Sequence, residues 1–192
     1  MSKDSPASNS NRSQKVRSSV KLPALHSLGE LAGSEPVVII DTREQEPLSF
    51  ARLKTQAGTL TTGDYSVAGL ESLFAVERKS ISDLIGCCMG QNRERFEREL
   101  HRLRGFRFKR LLIVGTEAQI QEGKYYANIK PQAVMATLGA FEARYDLPVV
   151  FKPSPELAAA QIERWSFWFA SEMVEVVNDL WRGSAAPNIR TG

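Results

Sequence analysis

The sequence feature that most restricts the possible folds is the alternation of short aliphatic runs with segments of helical periodicity. The runs "VVII", "LLIV" and "LPVV" are brief, apolar and rich in β-branched residues, which is typical of buried strands. Between the last two runs, Val134, Leu138 and Phe141 recur at helical spacing. Strands that alternate with helices predict an α/β domain in which a mixed β-sheet is flanked by helices.

The ends of the chain differ in composition from its centre. Residues 1–34 are rich in Ser, Asn and basic residues, so we expect a disordered tail, followed by one domain over 35–183 and a disordered C-terminus over 184–192. The adjacent Cys87 and Cys88 exclude an ordinary disulfide framework, which favours a reducing, intracellular compartment. Because the sequence contains neither a membrane-length apolar run nor a secretory signal, we expect no membrane partner.

The segment "GDYSVAGLESLFAVERKSISD" predicts a β-hairpin that carries an unusual set of charges. A turn that is symmetric about the bond between Leu70 and Glu71 makes Asp64 and Glu77 face each other on neighbouring strands. Lys79 lies two residues beyond Glu77 and therefore on the same face. Two like charges at facing positions repel unless a positive charge lies between them.

Two helices are predicted after this hairpin. The first, "SISDLIGCCMG", begins with Ser80 and Asp83 in the spacing of a capping box, which gives Asp83 a purely structural alternative role. The second, "NRERFERELHRLRG", begins after Asn92 as N-cap and ends at Gly105.

The second helix is amphipathic and densely charged. Phe96, Leu100 and Leu103 recur at helical spacing and should face the core. Charges of both signs interleave on its outer surface, where the basic residues are Arg93, Arg95, Arg98 and Arg102. Such a pattern is usual for a solvated helix with pairs four residues apart, and it also suits a surface that contacts a polyanion backbone.

A long last helix begins after Ser154 and Pro155, and its apolar side chains occupy more than one face. The expected apolar positions are Leu157, Ile162, Trp165, Phe169, Met173, Val176 and Leu180, with Phe167, Trp168 and Trp181 beside them. Such a helix either lies deep in the domain or meets another subunit, and the short domain favours a homodimer through this helix.

Three carboxylates, Asp41, Asp64 and Glu77, come together near strand ends if this topology holds, with Lys79 beside them. They could be ordinary exposed charges at strand ends, but as a set they make physical sense around a divalent cation. Oxygen ligands without His or Cys favour Mg²⁺ or Mn²⁺. A metal there could polarise a phosphoryl oxygen and activate water, which is the chemistry of phosphodiester hydrolysis.

The pattern G-D, a spacer and E-R-K-x-x-x-D is present from Gly63 to Asp83. Upstream, "IIDTRE" precedes it, and "RFERELHRL", "LLIVG" and "MATLGAFEARYDLPVVF" follow in order. This arrangement strongly resembles the nuclease domain of the XPF-type structure-specific endonucleases, a branch of the restriction-endonuclease-like fold. The resemblance covers about residues 36–182.

The resemblance implies metal-dependent cleavage of DNA at branch points, flaps or forks, in repair or recombination. By position it makes Asp41, Asp64 and Glu77 the metal ligands and Lys79 the catalytic lysine. The residues expected to support them are Arg43, Glu44, Arg78 and Asp83, and those expected to contact DNA are Arg93, Arg95 and Arg98. The compartment would be the nucleoid-containing cytoplasm of a bacterium or the nucleus of a eukaryote.

Two other functions stay open. Some nuclease partners in this family are inactive, so the chain could be a non-catalytic DNA-binding or scaffold subunit. It could also be a dimeric interaction protein that acts through its aromatic last helix. Many family members carry helix-hairpin-helix or helicase domains for which this sequence ends too soon, so we expect DNA affinity to depend on the tail, on dimerisation or on a separate protein. An RNA substrate shares the same phosphate chemistry.

Overall fold

A six-stranded mixed sheet with strand order β2-β1-β3-β4-β5-β6 forms the centre of the computed structural model, which describes residues 35–185. In chain order the elements are β1 (Val38–Asp41), β2 (Thr55–Gly58), β3 (Tyr65–Val67), β4 (Phe74–Ser80), α1 (Ile81–Cys87), α2 (Gly90–Leu103), β5 (Phe108–Val114), α3 (Glu117–Gln121), α4 (Pro131–Tyr145), β6 (Val149–Lys152) and α5 (Pro155–Ala185). The predicted α/β fold with a mixed, helix-flanked sheet is confirmed.

The register of the central hairpin is the one that the sequence predicts. Strands β3 and β4 are antiparallel with Tyr65 opposite Val76, which places Asp64 beside Glu77. Strand β3 also runs antiparallel to β1, whereas β1 with β2, β4 with β5 and β5 with β6 are parallel. Because β3 runs against both neighbours, its beginning lies between the carboxyl ends of β1 and β4.

Side chains alternate between the two faces of β4, and each face has its own core. Ala75 belongs to the cluster formed with α1, α2 and α4, where Phe96 and Phe141 are buried. Phe74 and Val76 belong to the cluster beneath α5. Glu77 and Lys79 share the parity of Ala75, so they lie on the face covered by α1 and α2.

Helix α5 covers the other face of the sheet with one of its own faces only. Ile162 and Phe169 are buried there, as expected. Leu157, Val176 and Leu180 are exposed, so the apolar positions of the helix are divided between the core and the surface. The exposed large hydrophobic residues on α5 are Leu157, Phe167, Trp168, Val176 and Leu180. No helix within residues 35–185 is long and apolar enough to cross a membrane.

Three local expectations need correction. Strand β2 and helix α3 are not among the predicted elements, because neither carries an apolar pattern that the sequence makes visible. Helix α2 begins at Gly90 with Met89 as N-cap, three residues ahead of the expected N-cap at Asn92. The expected disordered segments lie outside the described residues, except that α5 includes 184–185.

Candidate active site

The acidic side chains converge where three strands meet. Asp41 is the last residue of β1, Asp64 immediately precedes β3, and Glu77 lies within β4. The Asp41 amide donates to the Asp64 carbonyl oxygen at 2.8 Å, and the Asp64 amide donates to the Val76 carbonyl oxygen at 2.9 Å. Main-chain bonds of the sheet therefore fix the relative positions of the three carboxylates.

Asp41 is buried and fully hydrogen-bonded. Its Oδ1 accepts from the Arg43 amide at 2.8 Å and from Arg43 Nε at 2.7 Å. Its Oδ2 accepts from the Leu60 amide at 2.7 Å and from Arg43 NH2 at 3.1 Å. Burial alone would raise the pKa of Asp41, but the bonds to Arg43 and Leu60 outweigh it and the pKa is lowered. Asp41 is therefore ionised and tied to the loop that follows β1.

Asp64 and Glu77 form a tighter electrostatic unit with Lys79. Asp64 Oδ2 accepts from the Arg78 amide at 2.7 Å, and Glu77 contacts the Lys79 ammonium in a short ion pair. The Glu77 side chain is 6% exposed and that of Lys79 is 18% exposed, so water screens this pair little.

One ammonium does not balance these two carboxylates. Burial and the neighbouring Glu77 raise the pKa of Asp64 to about 7. Burial also raises the pKa of Glu77, although Lys79 opposes this shift. Burial would lower the pKa of Lys79, but the attraction of Glu77 and Asp64 is stronger and the pKa is raised. Burial is thus the main cause of both raised carboxyl pKa values, and Lys79 offsets it only in part.

Gly63 allows the backbone before Asp64 to adopt the conformation that the site requires. Its φ of 79° lies in the left-handed region, which only glycine adopts at little cost. A Cβ atom at this position would lie 3.2 Å from the Val76 carbonyl oxygen and 3.3 Å from Ala75 Cβ. The glycine before Asp64 thus lets the backbone approach β4 closely enough to place the two carboxylates side by side.

Glu44 and Arg78 form a buried ion pair beside the site. Arg78 donates to Glu44 through Nε at 3.1 Å and through NH2 at 3.0 Å, and both side chains are almost fully buried. Burial would raise the pKa of Glu44, but the hydrogen bonds from Arg78 lower it. The pair joins the loop after β1 to β4, so these residues position the site.

Ser80 is the N-cap of helix α1, and Asp83 lies in the first turn. The Asp83 amide donates to Ser80 Oγ at 3.1 Å, and Ser80 Oγ donates to Asp83 Oδ2 at 2.7 Å. The Ser80 half of the predicted capping box is thus present, whereas the Asp83 carboxylate accepts from the Ser80 hydroxyl and not from the Ser80 amide. The residue also lines a cleft with Lys79 and Ser82 beside the carboxylates, so the structure brings it close to the site as well.

The three arginines expected to contact DNA point in different directions. Arg93 pairs with Glu97 at 3.0 Å and lies 5.8 Å from the centre of the Phe141 ring, so it faces α4. Arg95 lines the central cleft, and Arg98 is exposed on the outer side of α2. The structure therefore brings only Arg95 of the three to the carboxylates.

The central cleft has a volume of about 210 Å³ and contains residues that sequence reasoning did not assign. Its lining comprises Asp41, Arg43, Thr61, Thr62, Gly63, Asp64, Glu77, Lys79, Arg95, Glu99 and Arg102. Arg95, Glu99 and Arg102 are spaced four and three residues apart, which puts them on one stripe of α2. This spacing could have identified the stripe from the sequence, but the basic and acidic residues alternate along the helix, so the pattern indicates a solvated surface equally well.

Two further clefts adjoin this one through Lys79. One, of about 310 Å³, lies between α1 and α2 and includes Cys87, Asn92 and Arg95. Burial raises the pKa of the Cys87 thiol to about 11, so it is protonated there. The other, of about 450 Å³, is lined by residues of the loop after β1 and of the start of α1. Lys79 is common to all three clefts, which makes it the centre of the concave surface.

The donor chemistry suits a hard divalent cation, although the described residues do not form a complete set of ligands. No three His, Cys, Asp or Glu side chains within residues 35–185 are grouped to hold a metal ion. Asp41 directs both oxygens to Arg43 and Leu60, and Glu77 contacts Lys79. Carboxylate oxygens are the ligands that Mg²⁺ and Mn²⁺ prefer, and burial and the neighbouring Glu77 raise the pKa of Asp64.

Two solved structures of similar fold are both of XPF from Aeropyrum pernix. XPF from Aeropyrum pernix matches with a TM-score of 0.55 and 21% identity, over 68% of this chain and 60% of that chain. XPF from Aeropyrum pernix in complex with DNA matches with a TM-score of 0.55 and 18% identity, over 71% and 66%. This chain thus covers less than two thirds of either structure, and the likeness shows a shared fold. No curated protein matches the sequence.

A protein-family comparison covers the site itself. The model of the ERCC4 domain matches residues 40–164. This range is more than half of the 192-residue chain, and it includes Asp41, Asp64, Glu77 and Lys79. The chain therefore belongs to the family of ERCC4 domains, the XPF-type nucleases.

Proposed function

We propose that this chain is a DNA endonuclease that depends on Mg²⁺ or Mn²⁺ and hydrolyses phosphodiester bonds at branched, flap or fork DNA. The observation that carries the proposal is the facing pair of Asp64 and Glu77 in a cleft beside Lys79. Membership of the ERCC4 family and the structure of an archaeal XPF in complex with DNA support a DNA substrate. The protein would act in the nucleoid or nucleus.

The proposed role of each residue follows from its position and contacts in the cleft. Asp41, Asp64 and Glu77 would hold the cation, which supplies charge to polarise a phosphoryl oxygen and to lower the pKa of a bound water. Lys79, common to the three clefts, would hold the attacking water or offset negative charge on the phosphate. Lys79 contacts Glu77 directly, so a cation held by Glu77 would compete with the ammonium for that carboxylate.

DNA would approach over helix α2. Arg95 and Arg102 border the central cleft and Arg98 is exposed on the same helix, so phosphates on either side of the cleaved bond could meet guanidinium groups. Such contacts are independent of base sequence and weaken as salt concentration rises. A second copy of the chain, bound through the exposed face of α5, would add a second DNA-contacting surface.

The test is a cleavage assay on fork, flap and linear duplex DNA with Mg²⁺ or Mn²⁺. Branched substrates should be cut faster than linear duplex, and EDTA should stop the reaction. Glu77→Gln keeps the side-chain shape but removes the charge, so it should lower the rate about a hundredfold or more. The exposed Glu94→Gln on α2 is the matched control and should cleave like wild type. If no substrate is cut with either metal, the proposal fails.

A non-catalytic DNA-binding subunit is the second candidate. The observation in its favour is that Asp41 and Glu77 are each neutralised by a cation of this chain, Arg43 and Lys79. In that case DNA binding would be unchanged by Asp64→Asn, and the purified chain would cut none of the three substrates. An active nuclease instead loses cleavage in this variant and keeps binding.

A further inference from the structure

The cleft between helices α1 and α2 adjoins the central cleft and has no part in the reaction proposed above. Its volume is about 310 Å³, and Lys79 lines both this α1–α2 cleft and the central cleft. A strand whose phosphate lies at Lys79 can therefore place an adjacent nucleoside in the α1–α2 cleft. A water molecule occupies about 30 Å³ in the liquid, so the cleft has room for a group as large as a nucleobase.

The charges of the α1–α2 cleft favour an uncharged ligand over a phosphate. Two basic side chains line it, Lys79 and Arg95. Two acidic side chains, Asp83 and Glu99, line it as well. Lys79 already contacts Glu77, and Arg95 Nε lies 3.9 Å from Glu99. A phosphate would therefore meet no surplus of positive charge in this cleft.

The polar side chains of the cleft suit the face and the edge of a base. The guanidinium of Arg95 is planar and its side chain is 77% exposed, so it is free to stack on a base. Asn92 is exposed at the cleft and offers both a donor and an acceptor, the combination with which Asn binds base edges. Ser82 and Cys87 add uncharged polar groups to the lining.

Gly86 leaves the α1 side of this cleft without a side chain. The residue lies within α1 and its φ is not positive, so its backbone conformation does not require glycine. A Cβ atom at this position would meet nothing within 4 Å. Alanine would stabilise a helix more than glycine does, so neither packing nor helix stability explains this glycine. Its effect on the structure is the open space that it leaves in the cleft.

We propose that the α1–α2 cleft binds the base of an unpaired nucleotide next to the cleaved bond and that Gly86 keeps room for this base. The inference rests on the proposed function, because it takes the strand at Lys79 to be DNA. A base in a duplex has to leave its stack and its partner to enter such a cleft, which costs least for a nucleotide that is already single-stranded. The cleft would thus favour cutting at flaps and forks, where unpaired nucleotides adjoin the duplex.

The experiment measures base binding in EDTA, apart from metal-dependent cleavage. Each of a set of flap DNAs carries one 2-aminopurine, placed at successive positions of the unpaired arm and of the adjoining duplex. The fluorescence of 2-aminopurine rises when this base leaves its stack. Wild-type protein should raise it about twofold or more at one position of the arm and at no position of the duplex.

A cleft-filling variant tests where the base binds. Gly86→Leu should abolish the rise in fluorescence and weaken binding of the flap DNA about fivefold or more, because leucine occupies the space of the base. Gly139 is exposed within α4, and a Cβ atom there would also meet nothing within 4 Å. Gly139→Leu therefore makes the same change outside the cleft and should behave like wild type.

Melting temperatures separate a folding effect from a binding effect. Both leucine variants should melt at or above the wild-type temperature, because leucine favours a helix more than glycine does. If Gly86→Leu melts lower, Asn92→Ala decides in its place. This variant shortens one exposed side chain and should weaken the fluorescence titration about threefold. An unchanged titration would then overturn the inference.

The outcomes also separate this inference from the proposed function. If flap DNA is cut with metal but 2-aminopurine is unchanged at every position, the base site is wrong and the nuclease stands. If the base enters the cleft but no DNA is cut with Mg²⁺ or Mn²⁺, the base site stands and the nuclease is wrong. If a stably folded Gly86→Leu gives the wild-type rise in fluorescence, the inference is overturned whether or not DNA is cut.

Discussion

At the scale of single residues, the unusual group is Asp64. In an unfolded chain its carboxyl has the ordinary pKa of 3.8, whereas burial and the nearby Glu77 raise the folded-state pKa to about 7. Between these two values the folded protein binds more protons than the unfolded chain. The free energy of unfolding therefore falls as pH rises through this window, which is the reverse of the effect of a salt-bridged aspartate.

We predict that the metal-free protein loses stability between pH 4 and pH 7, by on the order of 1.4 kcal/mol for each unit by which the pKa of Asp64 is raised. Urea denaturation in EDTA across this range measures the loss. Asp64→Asn should flatten the dependence, and the exposed Asp179→Asn should leave it unchanged. Added Mg²⁺ should stabilise the protein most at the upper end of the range. Equal pH profiles for Asp64→Asn and wild type would contradict the raised pKa.

At the scale of elements, the β3–β4 hairpin depends on two glycines in the same backbone conformation. Gly63 has φ of 79° and Gly69 has φ of 80°. A Cβ atom at Gly63 would press on Val76 and Ala75, whereas a Cβ atom at Gly69 would meet nothing within 4 Å. The pair therefore separates the cost of backbone strain from the cost of packing against β4.

We predict that Gly63→Ala destabilises the domain more than Gly69→Ala. The left-handed conformation should destabilise both variants by about 1–2 kcal/mol. Overpacking should destabilise Gly63→Ala by about 1–3 kcal/mol more. Urea denaturation of the two variants gives the difference directly. Cleavage should fall in Gly63→Ala alone, because the strain displaces Asp64. Similar losses of stability in the two variants would mean that the close approach to β4 is unimportant.

The sequence predicts those elements whose residues carry a pattern. The hairpin register followed from its turn and its alternation, and the ends of β1 and β4 followed from their apolar runs. Strand β2 reads Thr-Gln-Ala-Gly and is mostly exposed, so only main-chain pairing with β1 identifies it. Glu163 has the sequence context of a helix surface, yet it is buried and accepts from the amides of Arg52 and Leu53.

The site was predictable to the extent that strands determine it. The carboxylates of β1, β3 and β4 are fixed by sheet geometry, which periodicity reveals. The contribution of α2 depends on how that helix packs on the sheet, and the sequence alone does not give its rotation. Arg93 consequently faces Phe141 and not the carboxylates, whereas Glu99 and Arg102 line the cleft.

At the scale of the whole molecule, α5 leaves an apolar surface uncovered. Trp168 is 66% exposed, Leu180 62%, Leu157 51%, Phe167 46% and Val176 43%. By helical spacing, Val176 and Leu180 continue the stripe of Ile162 and Phe169, whereas Leu157 and Trp168 lie on another side of the helix. Exposed apolar side chains of this size are typical of a protein interface, and a twofold axis would let the same surface bury itself. The homodimer proposed for this chain uses this surface.

We predict that Trp168→Glu shifts the protein from dimer to monomer, because a buried charge without a partner is costly in such an interface. Sedimentation equilibrium measures the change. Tyr126 is fully exposed outside α5, so Tyr126→Glu is the control and should stay dimeric. Trp168→Glu should also weaken DNA binding if both subunits contact the substrate. A monomeric wild-type protein at micromolar concentration would contradict the dimer.

The two main-chain hydrogen bonds of Asp64 also determine how rarely this part of the backbone opens to solvent. The amides of Asp41 and Asp64 bond across β1, β3 and β4, the middle of the sheet, so neither can reach solvent unless these strands separate. Their exchange with deuterium should accordingly be as slow as global unfolding allows. The backbone that carries Asp41 and Asp64 therefore loses its arrangement only when these strands separate.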